Sequence, residues 1–153
     1  MPEPMTAMVS MGRPRLLARR RSYQGDPGGG YTRRALEIFD GLTVVQEVVD
    51  AAGWRARVRA EVSSRAFAGH FEGQPILPGV AHLVIVRHAL RAMEGASATL
   101  RALPSVRFRQ VVRPGDVLEV SVTRPDAAGR CRFEVKVEGT PAVTGVARGG
   151  HGG

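Results

Sequence analysis

His70 lies nine residues before Gly79, in a loop that leads directly into an apolar stretch. The chain between residues 69 and 79 contains three glycines and two prolines, which restrict its backbone to an irregular course. A loop constrained in this way commonly fixes a side chain for chemistry. Pro78-Gly79 is typical of a helix start, where free N–H groups and the helix dipole favour negative charge. The spacing therefore predicts a loop that delivers an imidazole to a helix N-terminus.

This stretch resembles the signature of hot-dog-fold dehydratases, which act on 3-hydroxyacyl thioesters carried on acyl carrier protein. Glu72 stands where the family motif has a proline. A second segment, residues 106–109 followed by 112–118, is also similar to this family, and the resemblance covers roughly residues 36–148. The residues that match the first motif are His70, Phe71, Gly73, Pro75, Pro78, Gly79 and Val80.

The resemblance implies an α+β hot-dog fold, with one long central helix wrapped by an antiparallel sheet of about five to six strands. It implies that His70 is the general base and that the Gly79 amide binds the enolate oxygen. It also implies an acyl-carrier-protein or coenzyme A thioester as substrate, no bound cofactor, and a cytoplasmic place in fatty-acid or polyketide-type metabolism. In such dimers the site is composite, and the substrate-binding positions carried over are Phe71, Gly79, Val80 and Val84.

One departure from the family bears on the chemistry. The family has a Glu or Asp fourteen positions after the histidine and a Gln four positions further on, whereas this chain has Val84 and His88. His88 lies one helical turn beyond Val84 on the same face, so it is a candidate replacement acid. Glu72 is a weaker candidate. His82 is expected to point elsewhere, at an interface or a pocket rim.

Three functions stay open at this point. The first is a dehydratase or hydratase of acyl thioesters with an altered general acid. The second is a non-catalytic hot-dog subunit that binds an acyl-pantetheine or pairs with an active paralogue, which would supply the acid. The third is a hot-dog thioesterase, which the missing carboxylate weakens as much as it weakens the first. For the protein in general the resemblance implies a homodimer or a heterodimer with a related hot-dog subunit.

Composition excludes several other classes. Residues 1–34 hold seven arginines and two acidic residues, which leaves 15 basic and 12 acidic residues for the rest of the chain. The net charge of that remaining part is too small to predict nucleic-acid binding. No apolar run approaches the roughly 18 residues of a membrane span. Cys131 alternates with apolar residues and is predicted to be a core thiol. The four histidines show no grouping typical of a metal site, and no cofactor motif is present.

Three regions are predicted. Residues 1–31 form a disordered basic tail, residues 32–148 the hot-dog domain, and residues 149–153 a glycine-rich tail that includes His151. Residues 32–39 are predicted to form a short amphipathic helix with Thr32 as its N-cap, and residues 80–93 a mostly buried helix. Strands are predicted over residues 42–49, 54–62, 104–112, 117–123, 130–138 and 142–147.

Overall fold

The computed structural model describes residues 24–25, 31–39, 41–61 and 76–152. Within these ranges the chain forms one α-helix and eight β-strands. In chain order they are β1 (Gln24–Gly25), β2 (Tyr31–Phe39), β3 (Leu42–Asp50), β4 (Gly53–Ala60), α1 (Gly79–Glu94), β5 (Ala98–Phe108), β6 (Val117–Thr123), β7 (Arg130–Val137) and β8 (Thr140–His151).

The described strands make one antiparallel sheet in the order β1-β2-β3-β4-β6-β7-β8-β5. Consecutive strands are neighbours except at β5, which follows α1 and lies at the far end of the sheet beyond β8, so that β4 pairs with β6. The helix therefore crosses one face of the sheet and contacts β2, β4 and β5. This is the hot-dog architecture that the sequence predicts, with one central helix against an antiparallel sheet.

Alternation of side chains sets which face of the sheet meets the helix. In β4 the apolar residues from Trp54 to Ala60 are buried, and Arg55, Arg57 and Arg59 between them are exposed, as the period-2 pattern predicts. In β7 Cys131 is buried, as expected. The helix contributes an apolar stripe of its own. The buried helical residues are Ala81, His82, Ile85, Val86, Ala89 and Leu90.

Both ends of α1 are attached to the sheet. At the start no side chain from the described residues caps the helix, but the Leu77 N–H just before it donates to the Val112 carbonyl at 2.8 Å. At the end, Arg124 donates through Nε to the Asp50 carbonyl at 3.0 Å and through Nη1 to the Met93 carbonyl at 3.3 Å. A cation at this end also complements the helix dipole. The β3–β4 hairpin is thus joined to the last turn of the helix.

The predicted helix over residues 32–39 is wrong, because these residues form β2 and pair with β3 along its length. The apolar spacing of this short segment fits either period, and pairing with β3 decides the outcome. The fold thus has more strands than the five to six predicted.

The other differences concern boundaries. Residues 149–151 of the predicted glycine-rich tail are part of β8, since Gly150 pairs with Thr99 and His151 with Ala98. The tail predicted for residues 1–31 contains β1, and its remaining residues lie outside the described ranges apart from Tyr31, the first residue of β2. β5 begins at Ala98, six residues earlier than predicted.

No helix in the described part of the chain is long and apolar enough to cross a membrane.

Two glycines with positive φ provide a matched test of how much close packing at the β3–β4 turn contributes to stability. A Cβ on Gly53 (φ 143°) would lie 2.2 Å from the Val122 carbonyl oxygen, whereas a Cβ on Gly139 (φ 79°) meets nothing within 4 Å. We expect Gly139→Ala to lower the free energy of unfolding by about 1 kcal/mol, from backbone strain alone. Gly53→Ala adds a clash with the sheet and should cost more than about 3 kcal/mol. Urea unfolding of both variants measures this, and equal losses would contradict it.

Candidate functional site

The two sequence motifs meet at the start of the helix. Gly79 is the first residue of α1, and a Cβ added to it would lie 3.0 Å from Cζ of Phe108, at the end of β5. Phe108 is 58% exposed and the neighbouring Val80 is 59% exposed. The first four N–H groups of a helix have no partner within it, so the Gly79 amide is available to an incoming oxyanion. An apolar, open surface therefore surrounds a backbone donor.

Val80, Val84 and His88 recur at four-residue spacing along α1 and line one border of its buried face. Their exposure decreases along this border. Val80 is exposed, Val84 is half-buried, and the His88 side chain is 14% exposed. The structure thus brings three of the sequence-predicted site residues onto one helix edge that starts beside Gly79.

His88 belongs to a buried polar cluster with Glu47 and Trp54. Its Nε2 lies 3.1 Å from Oε1 of Glu47, and the indole N–H of Trp54 donates to the same oxygen at 2.5 Å. The rings of Trp54 and His88 meet edge to face, with centroids 5.7 Å apart. Glu47 is completely buried. The replacement acid predicted from the sequence is therefore held by a carboxylate that sequence reasoning missed.

A β-bulge explains why Glu47 faces the helix. The register between β3 and β4 shifts between Val44 and Gln46, so one extra residue is inserted into β3. Leu42 and Val44 point inward before the bulge, and Glu47 and Val49 point inward after it. Strict alternation from Leu42 would have turned Glu47 outward. The signal available in the sequence was a carboxylate between the valine pairs of this strand.

The residue opposite Glu47 provides space for its carboxylate. In the antiparallel pair Glu47 is matched with Ala56 on β4, and both face the interior. Directly paired residues project to the same side of a sheet, so a small partner leaves room for a longer one. Trp54 lies two residues away on the same face of β4 and supplies the indole donor.

His82 is buried rather than at a rim, which corrects the expectation from the sequence. It is 3% exposed and packs edge to face against Phe108 with ring centroids 6.0 Å apart. Its Nδ1 has no hydrogen-bond partner among the residues that the structure describes. Burial lowers the pKa of His82 to about 4, because desolvation penalises the charged imidazolium. His82 is therefore neutral at physiological pH.

The remaining predicted site residues are His70, Phe71 and Glu72, and all three lie outside the described residues. Within the described ranges no group of three or more His, Cys, Asp and Glu side chains is arranged to hold a metal ion. Burial raises the pKa of the Cys131 thiol to about 11, as expected of a packed core residue.

A shallow groove of about 320 Å³ lies on the face of the sheet opposite the helix. It is lined by side chains of both charges. Glu119 on β6 lies between two cations, because it pairs with Arg57 on β4 and with Lys136 on β7. Alternating charges of this kind are typical of a solvated sheet surface. We therefore locate the site along the helix edge and not in this groove.

His82 should make the stability of the protein sensitive to acid. Its folded pKa of about 4 lies below the unfolded value near 6.5, so the unfolded state binds more protons between these values and stability falls as pH falls. We expect a loss of about 2 kcal/mol between pH 7 and pH 5 from this residue. The free energy of unfolding of His82→Leu should lack this loss at low pH. That of His151→Gln, at an exposed histidine, should retain it. Parallel pH profiles for all three proteins would refute the assignment.

Comparison with known sequences places this geometry in a family. Residues 46–146 match the family described as ApeI-like, ApeI dehydratase. A 3-hydroxyacyl-(acyl-carrier-protein) dehydratase FabZ of Lactobacillus helveticus is 38% identical over 87 residues, which are 50% of this chain and 59% of that protein. The FabZ of Enterococcus faecalis is 33% identical over 108 residues, 64% of this chain and 77% of that protein. The chain thus spans somewhat over half of the first relative.

Solved structures agree on the fold. The dehydratase heterocomplex ApeI:P of Xenorhabdus doucetiae matches with a TM-score of 0.59 at 21% identity, over 65% of this chain and 88% of that one. A protein of Erwinia carotovora matches with a TM-score of 0.58 at 22% identity, over 78% of this chain and 92% of that one. Since the family match covers more than half of the chain and the hot-dog architecture accompanies it, the protein belongs to the ApeI-like family of dehydratases.

Proposed function

We propose that the protein interconverts 3-hydroxyacyl and 2-enoyl thioesters, with the acyl group carried on acyl carrier protein or coenzyme A. The observation that carries this proposal is His88, an imidazole fixed by a carboxylate on the helix edge one turn beyond Val84. Membership of a dehydratase family supports the reaction class, and the FabZ relatives support a carrier-bound substrate. No bound cofactor is required, because acid–base chemistry alone performs the elimination.

The reaction needs a base, an oxyanion donor and an acid. In the proposed site His70 removes the proton next to the thioester carbonyl, and the N–H of Gly79 stabilises the resulting oxyanion. The hydroxyl leaves as water after it receives a proton that originates from His88. The proton balance closes when the proton on His70 returns to His88 through solvent. The reverse sequence hydrates an enoyl thioester.

Helix geometry determines how His88 delivers its proton. Gly79 and His88 are nine residues apart, which is about 13.5 Å along the axis, whereas Gly79 and Val84 are separated by about 7.5 Å. The His88 side chain leans back toward the helix start, which shortens the gap without closing it. A thioester bound at Gly79 therefore places its hydroxyl beyond direct contact with His88. The proton passes through one intervening water, in the space that a longer acidic side chain at position 84 would fill.

The proposed enzyme works with a second hot-dog subunit. β5 is at the end of the described sheet, and Phe108, Val80 and Val111 expose large apolar side chains near this strand. Apolar exposure beside a strand edge suits another protein chain. The structural neighbour from Xenorhabdus doucetiae is a heterocomplex, which supports a related subunit as partner. A substrate carried on acyl carrier protein is consistent with an enzyme located in the cytoplasm.

A second function is favoured by Val84. Without a carboxylate at this position the chain could serve as a non-catalytic subunit whose partner supplies the acid, as the heterocomplex of the neighbour suggests. The two functions differ in what the isolated protein does. The catalytic proposal requires turnover by the purified chain alone, whereas the subunit proposal requires the partner.

Substitution of the proposed base tests the reaction. We expect the purified protein to hydrate a trans-2-enoyl thioester of coenzyme A, and His70→Ala to lower this rate by roughly 10²–10⁴-fold because general base catalysis is lost. Loss of the enoyl absorbance measures the rate. His151→Gln, at a histidine in β8 that pairs with the start of β5, is the matched control and should keep the parent rate. Turnover that His70→Ala does not alter would contradict the proposal.

A double-mutant cycle tests the acid. His88→Gln should lower the rate by about 10²-fold in the parent protein, since it removes the proton source. Val84→Glu places a carboxylate nearer to Gly79, so it should raise the rate and reduce the effect of His88→Gln to a few-fold. An inactive parent that gains activity with Val84→Glu would instead establish the non-catalytic subunit. Equal effects of His88→Gln in both backgrounds would exclude His88 as the acid.

A further inference from the structure

We propose that Glu47 is the positioning residue of this site, and that it fixes the orientation and tautomer of His88 so that the outer ring nitrogen delivers the proton. The inference rests on the proposed function, which assigns the proton to His88. Glu47 lies on β3, at a position to which the family motifs assign no role. Its carboxylate is completely buried and lies 3.1 Å from Nε2 of His88.

Complete burial excludes Glu47 from contact with substrate. A carboxylate with no exposed surface cannot reach an acyl chain at the helix edge, so any part it plays in catalysis passes through a neighbour. His88 is that neighbour, because its imidazole contacts Glu47 on one side and retains 14% exposure of its side chain. The pair thus extends from the core to the border of α1 on which Val84 lies.

The hydrogen-bond pattern determines where the hydrogen on His88 resides. Trp54 Nε1–H donates to the same Glu47 oxygen that faces His88, and an ionised carboxylate can only accept hydrogen bonds. Opposite such a carboxylate, Nε2 of His88 carries a hydrogen and donates it to Glu47. The other nitrogen, Nδ1, carries a hydrogen only when both ring nitrogens are protonated, and this is the hydrogen that the proposed reaction uses. Release of that hydrogen leaves a neutral ring still held by Glu47.

The charged surroundings of His88 support a single dominant partner. From β3 the titratable group that faces it is Glu47, and β4 presents Trp54 and small apolar residues on this side. On α1 itself Arg87 and Arg91 are exposed, and Nε of Arg91 donates to the Ala98 carbonyl at 3.2 Å. Among the residues whose side chains the structure describes, the carboxylate therefore dominates the environment of the ring.

The cost of burial is a second argument that this carboxylate is retained for function. Removing a carboxylate from water costs several kcal/mol even after a partner is found, and an apolar residue of similar size at this position would commonly be at least as stable. The neighbouring inward positions of β3, Val44 and Val49, are apolar. The chain nevertheless retains Glu47, and Trp54 and His88 are among the groups that contact its carboxylate.

Glu47→Gln tests the inference because it preserves size and the acceptor for Trp54 while it removes the charge. We expect kcat to fall by about 10²-fold with KM within about twofold, the pattern of a group that acts only in the transition state. NMR of labelled histidine should show that His88 loses its preference for a hydrogen on Nε2. Trp54→Phe, which keeps the Glu47–His88 pair, should lower stability while the tautomer of His88 is retained. Glu119→Gln, an exposed glutamate on β6, is the matched control.

The NMR measurement needs no turnover, so two failures can be told apart. An unchanged tautomer of His88 in folded Glu47→Gln would overturn the role of Glu47 whatever the activity. A changed tautomer with an unchanged kcat would also overturn it, because the pair would then be structural only. A parent protein without activity would overturn the proposed function, even if the tautomer depended on Glu47.

Discussion

A buried carboxylate is the constraint around which this helix and sheet are arranged. Glu47 has no exposed surface, so the desolvation of its charge must be offset by donors brought to it from other elements. Among the residues whose side chains the structure describes, Trp54 on the adjacent strand and His88 on the helix supply such donors. Hydrogen bonds to a charged group at 2.5 and 3.1 Å tolerate little displacement. The rotation of the helix is therefore coupled to the β3–β4 hairpin.

The rest of the fold makes this arrangement possible. The bulge in β3 turns Glu47 inward, and Ala56 across the strand pair leaves room for it. Arg124 then joins the hairpin to the last helical turn by hydrogen bonds to carbonyl groups on both, while the Leu77–Val112 bond holds the first turn. The two attachments fix how far the helix advances along the sheet. Position along the axis decides whether His88 or the following turn meets the carboxylate, since each residue advances about 1.5 Å.

Much of this architecture follows from sequence patterns, and the exceptions have physical causes. The alternation from Trp54 to Ala60 and the apolar run that follows Pro78-Gly79 determine β4 and α1 without ambiguity. Residues 32–39 are misassigned because a short apolar spacing suits helix and strand alike until a neighbouring strand is present. His88 was recognised from its position relative to Val84. Glu47 was not, because period-2 reading assumes an unbroken register, and a single inserted residue reverses the faces that follow it.

The two histidines of the helix show how one element can carry two chemistries. His82 lies in the middle of the buried stripe, and its Nδ1 finds no hydrogen-bond partner within the described ranges. Burial lowers its pKa to about 4, so it is a neutral packing residue beneath Phe108. His88 lies at the border of the same stripe, where a carboxylate reaches it across the helix–sheet interface. Six residues on one helix therefore separate an imidazole packed among apolar groups from one held by a carboxylate, to which we assign the proton transfer. The difference arises from β3, so the register of a strand determines the surroundings of a side chain on the helix.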